Sequence, residues 1–343
     1  MHYTKRYTLL FTALGICLIV LFLVNISFGA VKMPVKEVVQ ALTGGEASKS
    51  TWEYIILNYR LPKAITAIIV GMGLSIGGLL MQTLFRNPLA GPDVLGLSSG
   101  ASLMVAFVIL GAGIVPVIGI FFTSSYGLVL AATLGSFMVL LAILVVSQRL
   151  KDTMAILIVG LMFGSFAGAI VGVLSYFSTA EQLQKFTFWS LGSLGNMTWD
   201  NIMILAIVTL IGLIMAAGCI KPLNALLLGE RYAKSLGINY NKTRFTIILA
   251  TSILVGCITA FAGPIAFVGL AVPHIAKLLF RTSSHLVLFW GTLFTGAIIL
   301  LVCDTATQIP GTGVVLPINA ITSIIGAPIV IWLLFRKRKG TFS

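Results

Sequence analysis

Residues 62–84 read PKAITAIIVGMGLSIGGLLMQTL, 23 residues whose one charge, Lys63, lies at the edge. A hydrocarbon core about 30 Å thick takes about 20 apolar residues to cross as a helix, so this run alone can span a bilayer. Its unbroken Leu, Ile and Gly content fits a helix, and the apolar–polar alternation of a barrel strand is missing. Working outward, ten such runs appear, at 8–28, 62–84, 93–112, 126–147, 153–174, 201–219, 244–262, 264–280, 286–303 and 313–335. Of 343 residues, 58% are hydrophobic and 9% charged. Together with a mean hydropathy of +1.08, this excludes a water-soluble globule. The expected fold class is an all-α polytopic membrane protein, one transmembrane domain over residues 1–343.

The charges lie between the runs, and basic residues favour every second connector. With a cytoplasmic N-terminus, inner connectors hold 16 basic and three acidic residues, and outer ones hold six of each. The positive-inside rule then places both termini in the cytoplasm, as an even number of spans requires. The net charge of +13 is thereby explained by topology and does not call for a nucleic-acid partner. The first run, preceded by Lys5 and Arg6, is too long for a signal-peptide core and reads as an uncleaved helix.

Several function classes drop out. No GxxxxGK[ST] loop occurs, so no nucleotide phosphate site is expected in this chain. Cys17, Cys219, Cys257 and Cys303 form no CxxC and fall in or beside apolar runs, and His2, His274 and His285 are scattered. Neither a disulfide framework nor a metal centre is expected. No Asp, Glu, Lys or Arg lies in the middle third of a run, where proton relays and ion sites of secondary transporters usually sit. A secondary transporter working alone and a non-transporting scaffold are the rival classes.

Two connectors stand out. Arg86-Asn87-Pro88-Leu89-Ala90-Gly91-Pro92-Asp93 follows the second run. Its prolines stop one helix and leave Asp93 to cap the next. Irregular backbone at membrane depth lines a cavity, which draws attention to Asn87 and Leu89. The longest inner connector runs from Lys221 to Ile238, where Leu226, Leu227, Leu228, Tyr232, Ala233 and Leu236 recur at helical spacing. Gly229 and Gly237 divide it into two short helices whose apolar face lies on the lipid interface or docks a cytoplasmic partner. In the fifth run Gly160, Gly164, Gly168 and Gly172 share one helix face, suited to close helix packing or to a pathway at a subunit interface. Finally, Ala90-Gly91-Pro92 with Leu95-Gly96-Leu97 is echoed by Ala262-Gly263-Pro264 with Val268-Gly269-Leu270, 172 residues later. The two copies follow runs of opposite direction, as an inverted repeat of helices 2–5 and 7–10 predicts.

Further stretches complete a pattern: Arg60-Leu61-Pro62-Lys63, Gln82 through Ala90, Trp189-Ser190-Leu191-Gly192-Ser193-Leu194, Gly263 through Leu270 with Pro273-His274, and Gly326-Ala327-Pro328. In this order and spacing the chain resembles the permease subunits of iron–siderophore, haem and vitamin B12 ABC importers, the FecCD type. The resemblance covers nearly the whole chain.

It implies a multi-pass permease of the cell's inner (cytoplasmic) membrane, paired with a second copy or a sister permease. Two cytoplasmic ATP-binding subunits would carry the ATP and Mg, so this chain needs no cofactor and is no enzyme itself. An extracytoplasmic binding protein would deliver the cargo, a ferric siderophore first, then haem or cobalamin. By the resemblance, residues 220–243 are the coupling segment, with Leu228, Gly229, Glu230, Ala233, Leu236 and Gly237 against the ATPase. Asn87 and Leu89, with Asp152 and Thr153, match the cytoplasmic gate. Gly160, Gly164, Gly168 and Gly172 match the pathway interface, and Arg60 and Lys63 the docking cations. Lys63 stands where the family usually has Arg, losing the bidentate fork. Gln308 stands near where a further docking Arg is expected.

Overall fold

In the computed structural model of the chain, described for residues 2–29, 31–45, 48–111, 125–149, 153–195, 197–308 and 314–339, every one of the ten apolar runs holds a helix. The first, α1 (His2–Ser27), is followed by two short outer helices, α2 (Val35–Leu42) and α3 (Ser50–Ile55). A π-helical turn, Ile56–Arg60, then leads into α4 (Leu61–Leu84). Next come α5 (Leu97–Ile109), α6 (Ser125–Arg149) and α7 (Thr153–Tyr176). The outer helix α8 (Ala180–Ser190), opened by a Thr179–Gln182 capping box, precedes α9 (Trp199–Gly218). Two short helices, α10 (Ile220–Leu226) and α11 (Glu230–Ser235), lead to α12 (Tyr240–Ala262). The chain closes with α13 (Val268–Phe280), α14 (His285–Thr307) and α15 (Ile318–Lys339). Seven of these helices are long and apolar enough to cross a membrane, while Leu97–Ile109, Val268–Phe280 and Ile318–Trp332 are shorter apolar helices.

The helices in the runs at 93–112, 264–280 and 313–335 start four or five residues late, and the first two share one cause. Both α5 and α13 have 13 residues, about 20 Å of helix at 1.5 Å per residue, short of the about 30 Å core. The cause is local. Gly96 (φ 75°) and Phe267 (φ 66°) precede these helices in the left-handed region, which no continuing α-helix admits. The irregular backbone before each is satisfied inside the protein. Leu95 N donates to Gly91 O, Leu97 N to Pro92 O, and Ala266 N to the Asn319 side chain. This is the condition for non-helical chain at membrane depth.

The packing repeats itself. Exchanging α4 with α12, α5 with α13, α6 with α14 and α7 with α15 maps the α4–α14 contact onto α12–α6. It likewise maps α4–α13 onto α12–α5, α5–α6 onto α13–α14, and α5–α7 onto α13–α15; all eight pairs are in contact. That is the inverted repeat, and its two helix breaks meet. The Phe267 N–H donates to the Asp93 carboxylate. Pro92 and Leu270 crowd Gly269 and Gly91, and a Cβ on Gly78 of α4 would lie 1.7 Å from the Gly269 carbonyl oxygen.

Lipid offers apolar side chains no worse a home than a protein core, so helix association here rests on close van der Waals packing. Gly71 of α4 and Gly296 of α14 show it: a Cβ on either would come within 2.4 Å of the other's carbonyl oxygen. Two stretches that carried the family resemblance also lock together. Trp189 Nε1 donates to Ala260 O at 2.9 Å and Ser193 N donates to Ala262 O. A Cβ on Gly263 would meet the Trp189 carbonyl oxygen at 2.2 Å.

Candidate functional site

The candidate coupling segment is built on α10 and α11. Gly229 (φ 108°) and Gly237 (φ 79°) take backbone conformations that L-residues rarely adopt. Gly237 is the left-handed residue of a Schellman stop, with Ile238 N bonded to Ala233 O and Gly237 N to Lys234 O. Two short helices therefore stand where spacing and glycines place them. Their inner side is anchored: Leu223, Leu226 and Ala233 are buried, α10 packs on α4 and α14, and α11 packs on α12. Their outer side is not covered by any described residue. Leu228 is 64% and Leu236 58% exposed, with Tyr232 beside them. Glu230 and Lys234 form an exposed i,i+4 pair at 2.7 Å. Of the expected ATPase contacts, Leu228, Glu230, Leu236 and Gly237 thus face outward, Gly229 is half-buried and Ala233 points inward.

The candidate gate stretch begins where α4 ends. Arg86 takes φ 49°, and Asn87 N bonds back to Gln82 O and Arg86 N to Thr83 O. This is a Schellman stop with an arginine at the position glycine usually fills. Asn87 is buried, and its Oδ1 accepts from Leu89 N at 2.9 Å, closing a turn across Pro88. Leu89 is half-buried. Asp152 lies outside the described residues, and Thr153 is described only as the first residue of α7.

The glycine ladder of α7 divides in two. Gly160 packs on Leu95, with a Cβ at 2.9 Å from its Cα, and Gly164 on Ser99. Among the described residues, Gly168 and Gly172 have nothing within 4 Å of a Cβ. Around them Leu161, Met162, Phe166 and Val173 are exposed, so one face of α7 is left uncovered by the described residues.

At the other end, both expected docking cations are engaged inside the chain. Arg60 Nη1 donates to Ile26 O at 2.7 Å and Ser27 O at 3.0 Å, and Nη2 donates to Val31 O. It thereby satisfies carbonyls that the end of α1 leaves unpaired. Lys63 Nζ lies 3.0 Å from Asp304 Oδ1, and Asn25 Nδ2 donates to Asp304 Oδ2 at 2.9 Å. Arg60, Lys63 and Asn25 border a cavity of about 260 Å³ that Tyr59, Gln308 and Val315 also line. Nearby, the Ser48 hydroxyl and then its backbone N–H hold the Glu37 carboxyl below the usual carboxylate range.

Sequence reasoning passed over three contacts that tie these regions together. Arg86 Nη2 donates to Leu227 O at 3.0 Å. Asn224 of α10 receives both the backbone N–H and ring Nδ1 of His285, at 2.8 and 2.9 Å. His285 Nε2 lies 2.9 Å from Thr83 Oγ1. A histidine just before an apolar run was the one available signal. Among the described residues no three His, Cys, Asp or Glu side chains gather to hold a metal ion.

Comparison with known proteins agrees with this architecture. The FecCD transport family matches residues 17–336. The hemin transport system permease protein HmuU of Yersinia pestis is 33% identical over 325 residues, 94% of each chain. The vitamin B12 import system permease protein BtuC of Salmonella typhi is 34% identical over 303 residues, 88% of this chain and 89% of its own. A solved inward-facing structure assigned to the metal-chelate type of ABC transporter superposes with a TM-score of 0.80 at 27% identity, covering 95% of this chain and 99% of that one.

Proposed function

Because the chain belongs to the FecCD transport family, we propose that it is the permease subunit of an ATP-driven importer for an iron complex, working as one of a permease pair. The first cargo proposed is a ferric siderophore, with haem and cobalamin the alternatives. The observation that carries the reading is the coupling segment. Two short helices, pinned on one side, present Leu228, Tyr232 and Leu236 on the other. Exposed apolar groups beside a membrane surface need a cover, and a cytoplasmic ATPase subunit supplies one.

In this account the chain performs no covalent chemistry. ATP-driven closure of two ATPase subunits moves α10 and α11, which rock the two permeases between outward and inward access. Cargo released by an extracytoplasmic binding protein passes along the interface between permeases. The uncovered face of α7, with Gly168 and Gly172, borders that interface. Basic-rich connectors put the coupling segment and both termini on the cytoplasmic side. Lys63 is proposed as a structural cation in place of a docking one, since a buried carboxylate already holds it.

Purifying the tagged chain from its native membrane in mild detergent tests the assignment. An ATPase subunit should co-purify one-to-one and be lost when Gly229 and Glu230 are both substituted. Recovery of the chain alone, while a control importer keeps its ATPase, would overturn it.

A further inference from the structure

The start of α14 is capped from outside its own helix. Its first residues leave backbone N–H groups with no partner in the helix, and Ser284, at the capping position, makes no side-chain cap. The acceptor comes instead from α10. Asn224 Oδ1 takes the His285 backbone N–H at 2.8 Å. The same oxygen lies 2.9 Å from His285 Nδ1. An amide oxygen accepts only, so the ring proton resides on Nδ1. Nε2 is then the acceptor in the neutral ring and faces Thr83 Oγ1 at 2.9 Å. The Thr83 hydroxyl can reach Leu79 O at 2.9 Å instead. It has one proton, so holding His285 means releasing Leu79 O.

Three elements therefore meet at one buried imidazole: α10 of the coupling segment, the first turn of α14, and the last turn of α4, four residues before Asn87. His285 is 1% exposed and its bond to Thr83 is buried, while Asn224 stands at the surface end of the chain of bonds. A second strut runs alongside, from Arg86 to Leu227 O. The same end of α4 is fixed to α13, since Gln82 Nε2 donates to Leu270 O at 3.0 Å and Lys277 Nζ donates to Gln82 Oε1 at 3.3 Å. Hydrogen bonds with defined directions thus link α10 to the last turn of α4.

Resting on the importer assignment above, we propose that His285 is a positioning residue that transmits movement of the coupling segment to the gate end of α4, with Asn224 and Thr83 as its two contacts. It touches neither cargo nor nucleotide. Its loss separates ATP hydrolysis from transport.

The test uses the complete importer in proteoliposomes, with its ATPase subunits and binding protein, comparing His285→Ala, Thr83→Val and Asn224→Ala with the parent. Cargo moved per ATP hydrolysed should fall about tenfold in each, within the usual range for coupling between sites, while basal hydrolysis stays. His285→Ala combined with Thr83→Val should be no worse than His285→Ala alone. His285→Gln, which restores a polar group toward Thr83, should recover part of the ratio. A purely structural histidine would lower hydrolysis and uptake together with the amount of folded complex. That result, or an unchanged ratio in Thr83→Val and Asn224→Ala, overturns the proposal while parental ATP-driven uptake keeps the importer assignment intact. Failure of the parent complex to import with ATP would overturn both. If His285→Ala does not fold, the other two variants decide.

Discussion

Lys63→Met isolates what the outer ion pair does. Lys63 opens α4, Asp304 lies near the end of α14, and Asn25 of α1 donates to the same carboxylate. The lysine side chain is 14% and the aspartate 1% exposed. Removing one member of such a buried pair strands the other charge, at a cost of about 3–5 kcal/mol, or about two to four decades in the unfolding equilibrium. Removing both charges, as in Lys63→Met with Asp304→Asn, should restore most of that loss, because replacing a whole buried pair is often near neutral. The chain carries its own probe. Cys219, Cys257 and Cys303 are buried and Cys17 is exposed, so in a Cys17→Ser background a thiol-reactive fluorophore reports unfolding in detergent. Lys63→Met should melt well below the parent and the double variant close to it. A single variant that melts with the parent, or a double variant as unstable as the single, would refute the structural role and return Lys63 to the docking surface.

Two further outcomes follow from the packing and the coupling segment. In the same assay Gly78→Ala should melt lower, since its Cβ would lie 1.7 Å from the Gly269 carbonyl oxygen and overpacking costs about 1–3 kcal/mol. Gly168→Ala, with nothing within 4 Å among the described residues, should not. Gly229→Pro and Gly237→Pro, forced away from φ values of 108° and 79°, should insert normally yet lose ATP-driven uptake; normal uptake by both would count against the coupling segment.

What the sequence made legible, and what it hid, divides along physical lines. Hydropathy located the ten runs because lipid selects on average composition, which any window reads. It did not give the starts of α5 and α13. These depend on Gly96 and Phe267 in the left-handed region, and nothing in a phenylalanine signals that. The tertiary frame imposes it, with Asp93 and Asn319 taking up the loosened backbone N–H groups of Phe267 and Ala266. Gly229 and Gly237 were legible as breaks because glycine tolerates what other residues resist. Arg60 and Lys63 read as free cations because their partners are distant in the chain. The same holds for His285, whose contacts lie 61 and 202 positions away. Side-chain partners of this kind leave no periodicity for a local pattern to detect.

The most direct test of the central claim is uptake into proteoliposomes holding this permease with its ATPase subunits. ATP on the coupling-segment side and a loaded binding protein on the other should drive accumulation of a ferric siderophore, haem or cobalamin, insensitive to ionophores. Uptake that needs a proton or sodium gradient and continues without ATP would contradict the account.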